Sequence, residues 1–554
     1  MPRRTSLIRK ISSIGAVVAL AATLGACAGD EAPAESTMSE APAESTISFA
    51  IEGANLSSGH MDIHSSQLDV ASLVLRNAFD SLVAQDASGA FVPWLASSWT
   101  ISEDELEYVF QLREDVTFHD GEPFNAQAVK ANFDHVVAPE TASAQAASLI
   151  GYAEDGGYYV GTEVLGEFEV AVTFSQPYAP FLQGLSLPQL GFYSPVVLKE
   201  NAADLKAGGP EVTVGTGPFV LSEFTPDQQL VFVANPDYDW APTGSTHQGR
   251  AASDTLVISI VPETASRVGA ITTGEADVAA DFTPDMAAQV GADAQTFSIE
   301  MPGVPYSLYI NEADGVFADV RVREAFSLGF DAEPAIASIY LGQFSRAWSI
   351  LGPTTPNSYD ASLEGSWPYS PDKADELLDS AGWTERDSEG YRTKDGERLS
   401  ARWIAYTPVP DDRASLANFI QSDLKEIGFE LVREVLEPAQ YMEFYGPRDF
   451  DLTDWAFSSP DADVLRSHLQ TGGFQTVSSV TKPEVDQWLS DAVATSSPAA
   501  REALYQQIQQ WNAEQVLIVP LYVPSEITVA TSGVEGLIFD LYGRASFYGA
   551  TVER

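Results

Sequence analysis

A single cysteine, Cys27, occurs in 554 residues, so no internal disulfide can staple the fold. Lysine is scarce as well: eight residues beside 21 arginines, and 79 acidic side chains stand against 29 basic ones. A formal charge of −50 excludes the basic footprint by which proteins hold nucleic acid. It also excludes adhesion to anionic lipid headgroups by charge alone. Beyond the first 26 residues no apolar run approaches the ~20 residues needed to span a bilayer. No Gly-x-Ser-x-Gly elbow and no His-Glu-x-x-His helix signals a hydrolase. Neighbouring acids such as Glu103-Asp104-Glu105 are ordinary in so acidic a chain. The six histidines (His60, His64, His119, His135, His247, His468) are scattered. His60 and His64 have i, i+4 spacing but no helical pattern around them, so neither a metal site nor a cofactor is expected.

The N-terminus does carry a signal. Arg3, Arg4, Arg9 and Lys10 form a basic start, followed by a mostly apolar stretch from Ile11 to Leu24 and then Leu24-Gly25-Ala26-Cys27. This pattern resembles a bacterial lipoprotein signal. The resemblance implies cleavage after Ala26, a diacylglyceryl thioether on Cys27, and a mature formal charge of −54 once the four leader bases are lost. Arg3-Arg4 also raises twin-arginine export, although Ser6 stands where an aromatic is usual, so the route stays open. After Cys27, Glu31-Ala32-Pro33-Ala34-Glu35-Ser36-Thr37 recurs as Glu40-Ala41-Pro42-Ala43-Glu44-Ser45-Thr46. With no large apolar side chain it reads as a disordered spacer, and residues 27–46 are expected to tether a body that begins near Ile47. The acidity reads as a solubility adaptation to a salty medium or as attraction for cationic solutes, the former being preferred.

The body, about 508 residues, is long enough for ~3–4 structural units. Leu106, Tyr108, Phe110 and Leu112 alternate with polar or smaller residues, as do Phe168, Val170, Val172 and Phe174, and both read as strands. Leu230–Val233, Leu256–Ile260 and Val516–Val519 read as buried strands. Asn125 is positioned to cap a helix bearing Ala126, Val129 and Phe133. Ser370-Pro371-Asp372 opens another that ends at Gly382. Leu416, Phe419, Ile420, Leu424 and Ile427 follow a helical period up to Gly428, and Ser497-Pro498 opens a helix carrying Leu504, Ile508 and Trp511. Alternating helices and strands give an α/β class.

Several blocks in order carry an identity. Phe79-Asp80-Ser81-Leu82, Phe91-Val92-Pro93-Trp94-Leu95-Ala96-Ser97-Ser98-Trp99 and Val116-Thr117-Phe118-His119-Asp120-Gly121-Glu122-Pro123-Phe124-Asn125-Ala126 come first. Gly215-Thr216-Gly217-Pro218-Phe219, Asn235-Pro236-Asp237-Tyr238, Gly274-Glu275-Ala276-Asp277, Asp319–Ala325, Ala381-Gly382-Trp383 and Ile427-Gly428 follow. Together they resemble the extracytoplasmic solute-binding proteins of family 5, the oligopeptide, dipeptide and nickel type that serve ABC importers. That resemblance implies a periplasmic-binding-protein-like type II fold, with two lobes on a hinge and an extra α/β subdomain. Lobe I is expected at 47–78, 205–298 and 519–554, the subdomain at 79–204, and lobe II at 299–518. It further implies a lipid-anchored, monomeric receptor on the extracytoplasmic face of the cell membrane. Such a receptor captures a peptide-like or other medium-sized polar solute by hinge closure and delivers it to a permease and ATPase complex, with no bond made or broken. Other classes are a secreted hydrolase lipoprotein, and a sensor or adhesin that uses the fold without a transporter.

Within that resemblance, Trp455 matches a tryptophan that lines the cleft of peptide-binding relatives. The aspartate that pairs with the peptide ammonium three residues on is Ser458 here, and the next acids are Asp461 and Asp463. A serine cannot neutralise an ammonium, so free peptides in the usual mode are not expected unless a loop shift lets Asp461 substitute. The histidine of nickel-binding relatives is Ala462 here. Trp403, Tyr406, Tyr441 and Trp455 are the candidate ligand wall, since flat apolar faces with a few polar groups suit a polar solute. Tyr306, and His60 with Asp62 near the end of the first strand, are further candidates.

Overall fold

A computed structural model describes residues 45–554 except 54–55, 67–68, 144–145 and 153–156. The leader, Cys27 and all but the last two residues of the expected tether lie outside the described residues.

The buried strands read from the sequence assemble into two main sheets. The first has seven strands in the order Gln295–Glu300, Ser525–Ala530, Val278–Ala279, Thr46–Ile51, Thr255–Ile260, Gln229–Ala234 and Phe219–Thr225. Its central strand Thr46–Ile51 runs parallel to both neighbours. The second has six strands in the order Ser345–Arg346, Ile518–Val523, Gly303–Ile310, Leu452–Ser458, Ser400–Tyr406 and Glu430–Leu436, and its last three run parallel. A third, antiparallel sheet of four strands lies between residues 96 and 174. Its apolar residues Tyr108, Phe110, Val170 and Val172 share one continuous core with Phe49, Leu256 and Ile258 of the first sheet. The second sheet instead packs into two cores of its own.

Local chemistry fixes the helices. The Asn125 side chain accepts a hydrogen bond from the Ala128 amide at 3.0 Å and starts the helix Ala126–Val136. Pro371 begins Pro371–Ser380, where Ser370 makes no side-chain cap. Gly428, at φ +81°, follows Asp411–Glu426 and provides the left-handed turn that a β-carbon would strain. One strand expectation shifts. Val516 (φ +55°) closes the helix Pro498–Gln515 rather than opening a strand, and the Asn512 side chain bridges the bend by bonding both the amide and the carbonyl of Ile518. That helix turns Tyr505, Ile508, Gln509 and Asn512 fully inward, while Leu504 and Trp511 are partly buried beside the same core.

Among the described residues the chain passes between the two main sheets twice, through Met301-Pro302 and through Pro524. Ile518–Val523 pairs in the second sheet, so the change of sheet falls at Pro524 rather than at 519, and Gln295–Glu300 stays in the first sheet past 299. The apolar run Val516–Val523 has no break at 519, so its pattern does not mark the change of sheet. The crossings touch: the Met301 amide donates to the Pro524 carbonyl at 2.9 Å. Gly303 follows at φ +96°, where a β-carbon would stand 2.4 Å from the Phe457 carbonyl oxygen, so the close approach requires glycine. The third sheet's region also reaches the second lobe: the Ala179 amide donates to the Val493 carbonyl, and the Ser496 amide to Glu105 at 2.6 Å.

Candidate functional site

Crevices in open α/β sheets lie beyond the carboxyl ends of the parallel strands. In the second lobe those ends are Tyr406 and Phe457-Ser458, and a cavity of about 350 Å³ opens there. Its wall includes Tyr406, Pro408, Arg413, Asp454, Trp455 and Phe457. In the first lobe a smaller cavity of about 80 Å³ lies past Phe49 and Ala280, against Asp69, Asp281, Glu526, Tyr542 and Arg544. Met301 lines the smaller cavity and approaches Ser458 Oγ with its Sδ at 3.4 Å, so the two hollows flank the crossing segment.

The aromatic wall is layered. Trp455 is half-buried against Tyr441, Tyr445 and Phe457, with ring centroids at 6.2, 5.3 and 6.3 Å. Its indole Nε1 is buried with no hydrogen-bond partner among the described residues. Tyr406, 47% exposed, meets Tyr441 edge-on at 5.2 Å. Tyr441 itself is buried, its hydroxyl hydrogen-bonded to Thr453 Oγ1 at 2.8 Å, so it supports the wall from behind. Trp403, expected to face the ligand, is only 1% exposed because both faces of its strand are covered. Its Nε1–H donates to Asp454 Oδ2 at 2.7 Å, and the Arg433 guanidinium lies 4.7 Å over its ring. Burial pushes the Asp454 carboxyl above its ordinary range, while Arg433, the Trp403 bond and Arg413 pull the other way. Tyr306 is buried too, stacked on Tyr522 at 4.8 Å beneath Arg413.

The remaining sequence candidates fall elsewhere. Asp461 is ion-paired to Arg501 at 2.7 Å and accepts the Asp463 amide at 2.8 Å, so its charge is already used inside the second lobe. Asp62 is 2% exposed, accepts from the His64 amide and sits against the Tyr193 hydroxyl, which places it in the first-lobe core. His60, half-buried, lines neither cavity. The i, i+4 pairing of His60 and His64 joins nothing, because His64 is buried and bonded to His135 at 2.9 Å and to the Gly191 carbonyl at 2.8 Å. Among the described residues no group of three or more His, Cys, Asp or Glu could hold a metal.

Arg413 and Asp454 were not legible as site residues. Arg413 lies in the first turn of Asp411–Glu426, and Asp454 is masked by the aromatic beside it in the sequence. The first-lobe wall joins residues 69, 281, 526 and 542–544, which share no local signature.

A family model described as bacterial extracellular solute-binding proteins, family 5 Middle, matches residues 90–476. The nickel-binding periplasmic protein of Escherichia coli (strain K12) is 28% identical over 466 residues, covering 82% of this chain and 84% of that protein. Probable di/tripeptide-binding protein 5 of Pseudomonas aeruginosa (strain UCBPP-PA14) is 28% identical over 505 residues, covering 85% and 89%. Among solved structures, NikA from Brucella suis in complex with Fe(III)-EDTA superposes with a TM-score of 0.77 at 25% identity, covering 92% of this chain and 100% of that one.

Proposed function

Because this chain belongs to family 5 of the bacterial extracellular solute-binding proteins, a family of binding proteins rather than enzymes with the two-lobe type II fold, we propose that it is the lipid-anchored receptor of an ABC importer. It captures a medium-sized polar solute between its lobes and hands it intact to a permease. The observation that carries this reading is the cavity of about 350 Å³ walled by Tyr406 and Trp455 at the carboxyl ends of the second sheet, beside a hinge of two crossings. No helix among the described residues is long and apolar enough to cross a membrane. The tether and the thioether on Cys27 are therefore the proposed attachment, with the body acting as a monomer at the extracytoplasmic face.

Relatives named for nickel and for di- or tripeptides are similar to nearly the same extent, so similarity leaves the cargo open. The second-lobe wall narrows it. With Ser458 in place of a carboxylate and Asp461 held by Arg501, nothing at these two positions is free to neutralise an α-ammonium. The direct test is a broad solute screen by thermal shift, followed by small-angle scattering of each hit. A true cargo at 100 times its dissociation constant should stabilise the protein by roughly 2.7 kcal/mol and reduce the radius of gyration as the lobes close. Hits that leave the scattering curve unchanged would sink the hinge-closure mechanism. Labelling with a radioactive fatty acid, lost in Cys27→Ser, tests the anchor.

A further inference from the structure

Resting on the receptor reading above, we propose that Arg413 is the specificity-determining residue of the second-lobe cavity. The cargo is then an anionic solute that places a carboxylate on the Arg413 guanidinium and its apolar body on Trp455 and Tyr406.

The argument starts from how this chain uses its arginines. With 79 acids to 29 bases, an arginine has little difficulty finding a carboxylate. Arg402 pairs with Glu434 at 2.8 Å, Arg466 with Asp463 at 2.7 Å, and Arg501 with Asp461 at 2.7 Å. Others are held by backbone carbonyls: Arg267 bonds four of them, and one terminal nitrogen of Arg346 bonds three. Arg413 has neither arrangement. It lines the cavity, and among the described residues no carboxylate lies within ion-pair distance of it. Its Nε–H donates to the Tyr522 hydroxyl at 3.2 Å, and its guanidinium lies 4.6 Å over the Tyr306 ring. Those two contacts orient the fork and leave both terminal nitrogens without a partner among the described residues. A fixed guanidinium with two free parallel donors matches the geometry of a carboxylate.

The charged residues of this cavity wall are Arg413 and Asp454. Asp454 is held by Trp403, burial pushes its carboxyl upward, and Arg433 behind Trp403 adds a second positive charge to its field. The cavity is also bounded by Pro408, Val409 and Pro410, the lead into the helix Asp411–Glu426. Pro410 at its cap offers no side-chain acceptor, and the Asp412 carboxylate in the first turn accepts the Arg413 amide at 2.8 Å, which offsets the positive end of that helix. The net charge of −50 does not oppose an anionic cargo at short range, because acids more than about 8 Å away are largely screened at physiological ionic strength.

The test uses the full chain and matched probes: N-acetyl-Phe-Leu as the free acid and as its amide, unblocked Phe-Leu, and further acid–amide pairs of aryl and alkyl hydroxy acids. Thermal shift followed by titration calorimetry is expected to select acids over their amides and over the unblocked dipeptide. Arg413→Gln is expected to weaken the best acid by about 10- to 100-fold while leaving its amide unchanged. Arg413→Lys, which keeps the charge but not the fork, should retain part of the preference. If the hits are amides, or acids that bind R413Q as tightly as the wild type, the Arg413 assignment is wrong and the receptor reading stands. If no probe stabilises the protein and none compacts it in scattering, both fall. Should R413Q not fold, the acid-over-amide preference of the wild type and its partial retention in R413K decide the matter.

Discussion

The parallel strands of the first lobe deliver acids to the cleft. Asp281 follows one strand end, and Glu526, whose carboxyl burial and the neighbouring Asp281 push upward, sits beside it. The corresponding ends in the second lobe deliver Tyr406 and Trp455, with Arg413 beside them. The volumes differ in the same direction, about 80 Å³ against about 350 Å³. The same α/β geometry thus yields one wall that is narrow and acidic and one that is wide and aromatic, with Arg413 and Asp454 as its charged residues. Fold alone places a crevice, and the residues at the strand ends decide what enters it. The wider wall has the room for a solute body, and under the proposed closure the acidic wall would face it.

The largest effect should come from breaking the link between the walls. Gly303→Ala puts a β-carbon against the Phe457 carbonyl at a left-handed φ, and should cost about 3 kcal/mol or more in urea unfolding. An unchanged midpoint would mean the crossing can shift freely. Next is Trp455→Ala, which removes the flat face of the second wall. Cargo affinity, followed by tryptophan fluorescence or calorimetry, should fall by about 30- to 100-fold, equivalent to about 2–3 kcal/mol. Affinity retained in this variant would move the recognition surface to the first lobe.

Glu526→Gln sharpens the contrast through pH. A carboxyl with a raised folded-state pKa binds its proton more tightly in the native state, so the wild type loses stability as pH rises above the ordinary carboxyl range. The glutamine variant does not titrate. Its advantage should be near zero around pH 4.5 and grow to about 1–2 kcal/mol at pH 8, read from denaturation midpoints across that range. An advantage that is flat with pH would show that the acidic wall is not strained. Smallest is Ser458→Asp, which makes the second wall resemble its relatives. Unblocked dipeptides should gain about 10-fold in affinity, or roughly 1.4 kcal/mol. No gain would mean that the ammonium never approaches this position.

Much of the frame was legible because it is local. The Asn125 cap, the Ser370-Pro371 start and the Gly428 stop each act within one turn of their helix. Sorting the aromatics was harder. Ser400–Tyr406 is covered on both faces, so alternation cannot separate Trp403, which is enclosed, from Tyr406 three residues on, which is open. Asp461 reads as a free acid in the sequence because its partner Arg501 is 40 residues away. Arg413 is the converse case: in sequence it is a charged residue in an acidic helix start, and only the three-dimensional structure places it in the cavity wall with its Nε–H on the Tyr522 hydroxyl.

The two crossings have a consequence for how the halves move. Glu300 pairs with Ser525 at the edge of one sheet, and Tyr306 with Tyr522 in the other, so a continuous ladder would weld the two into a single stiff ribbon. Pro302 and Pro524 stand in the gap, and neither has an amide hydrogen to lend. Across that gap the Met301 amide still reaches the Pro524 carbonyl, a seam sparser than the ladders on either side and the place where the proposed closure would crease both connecting ribbons without unpicking either fabric.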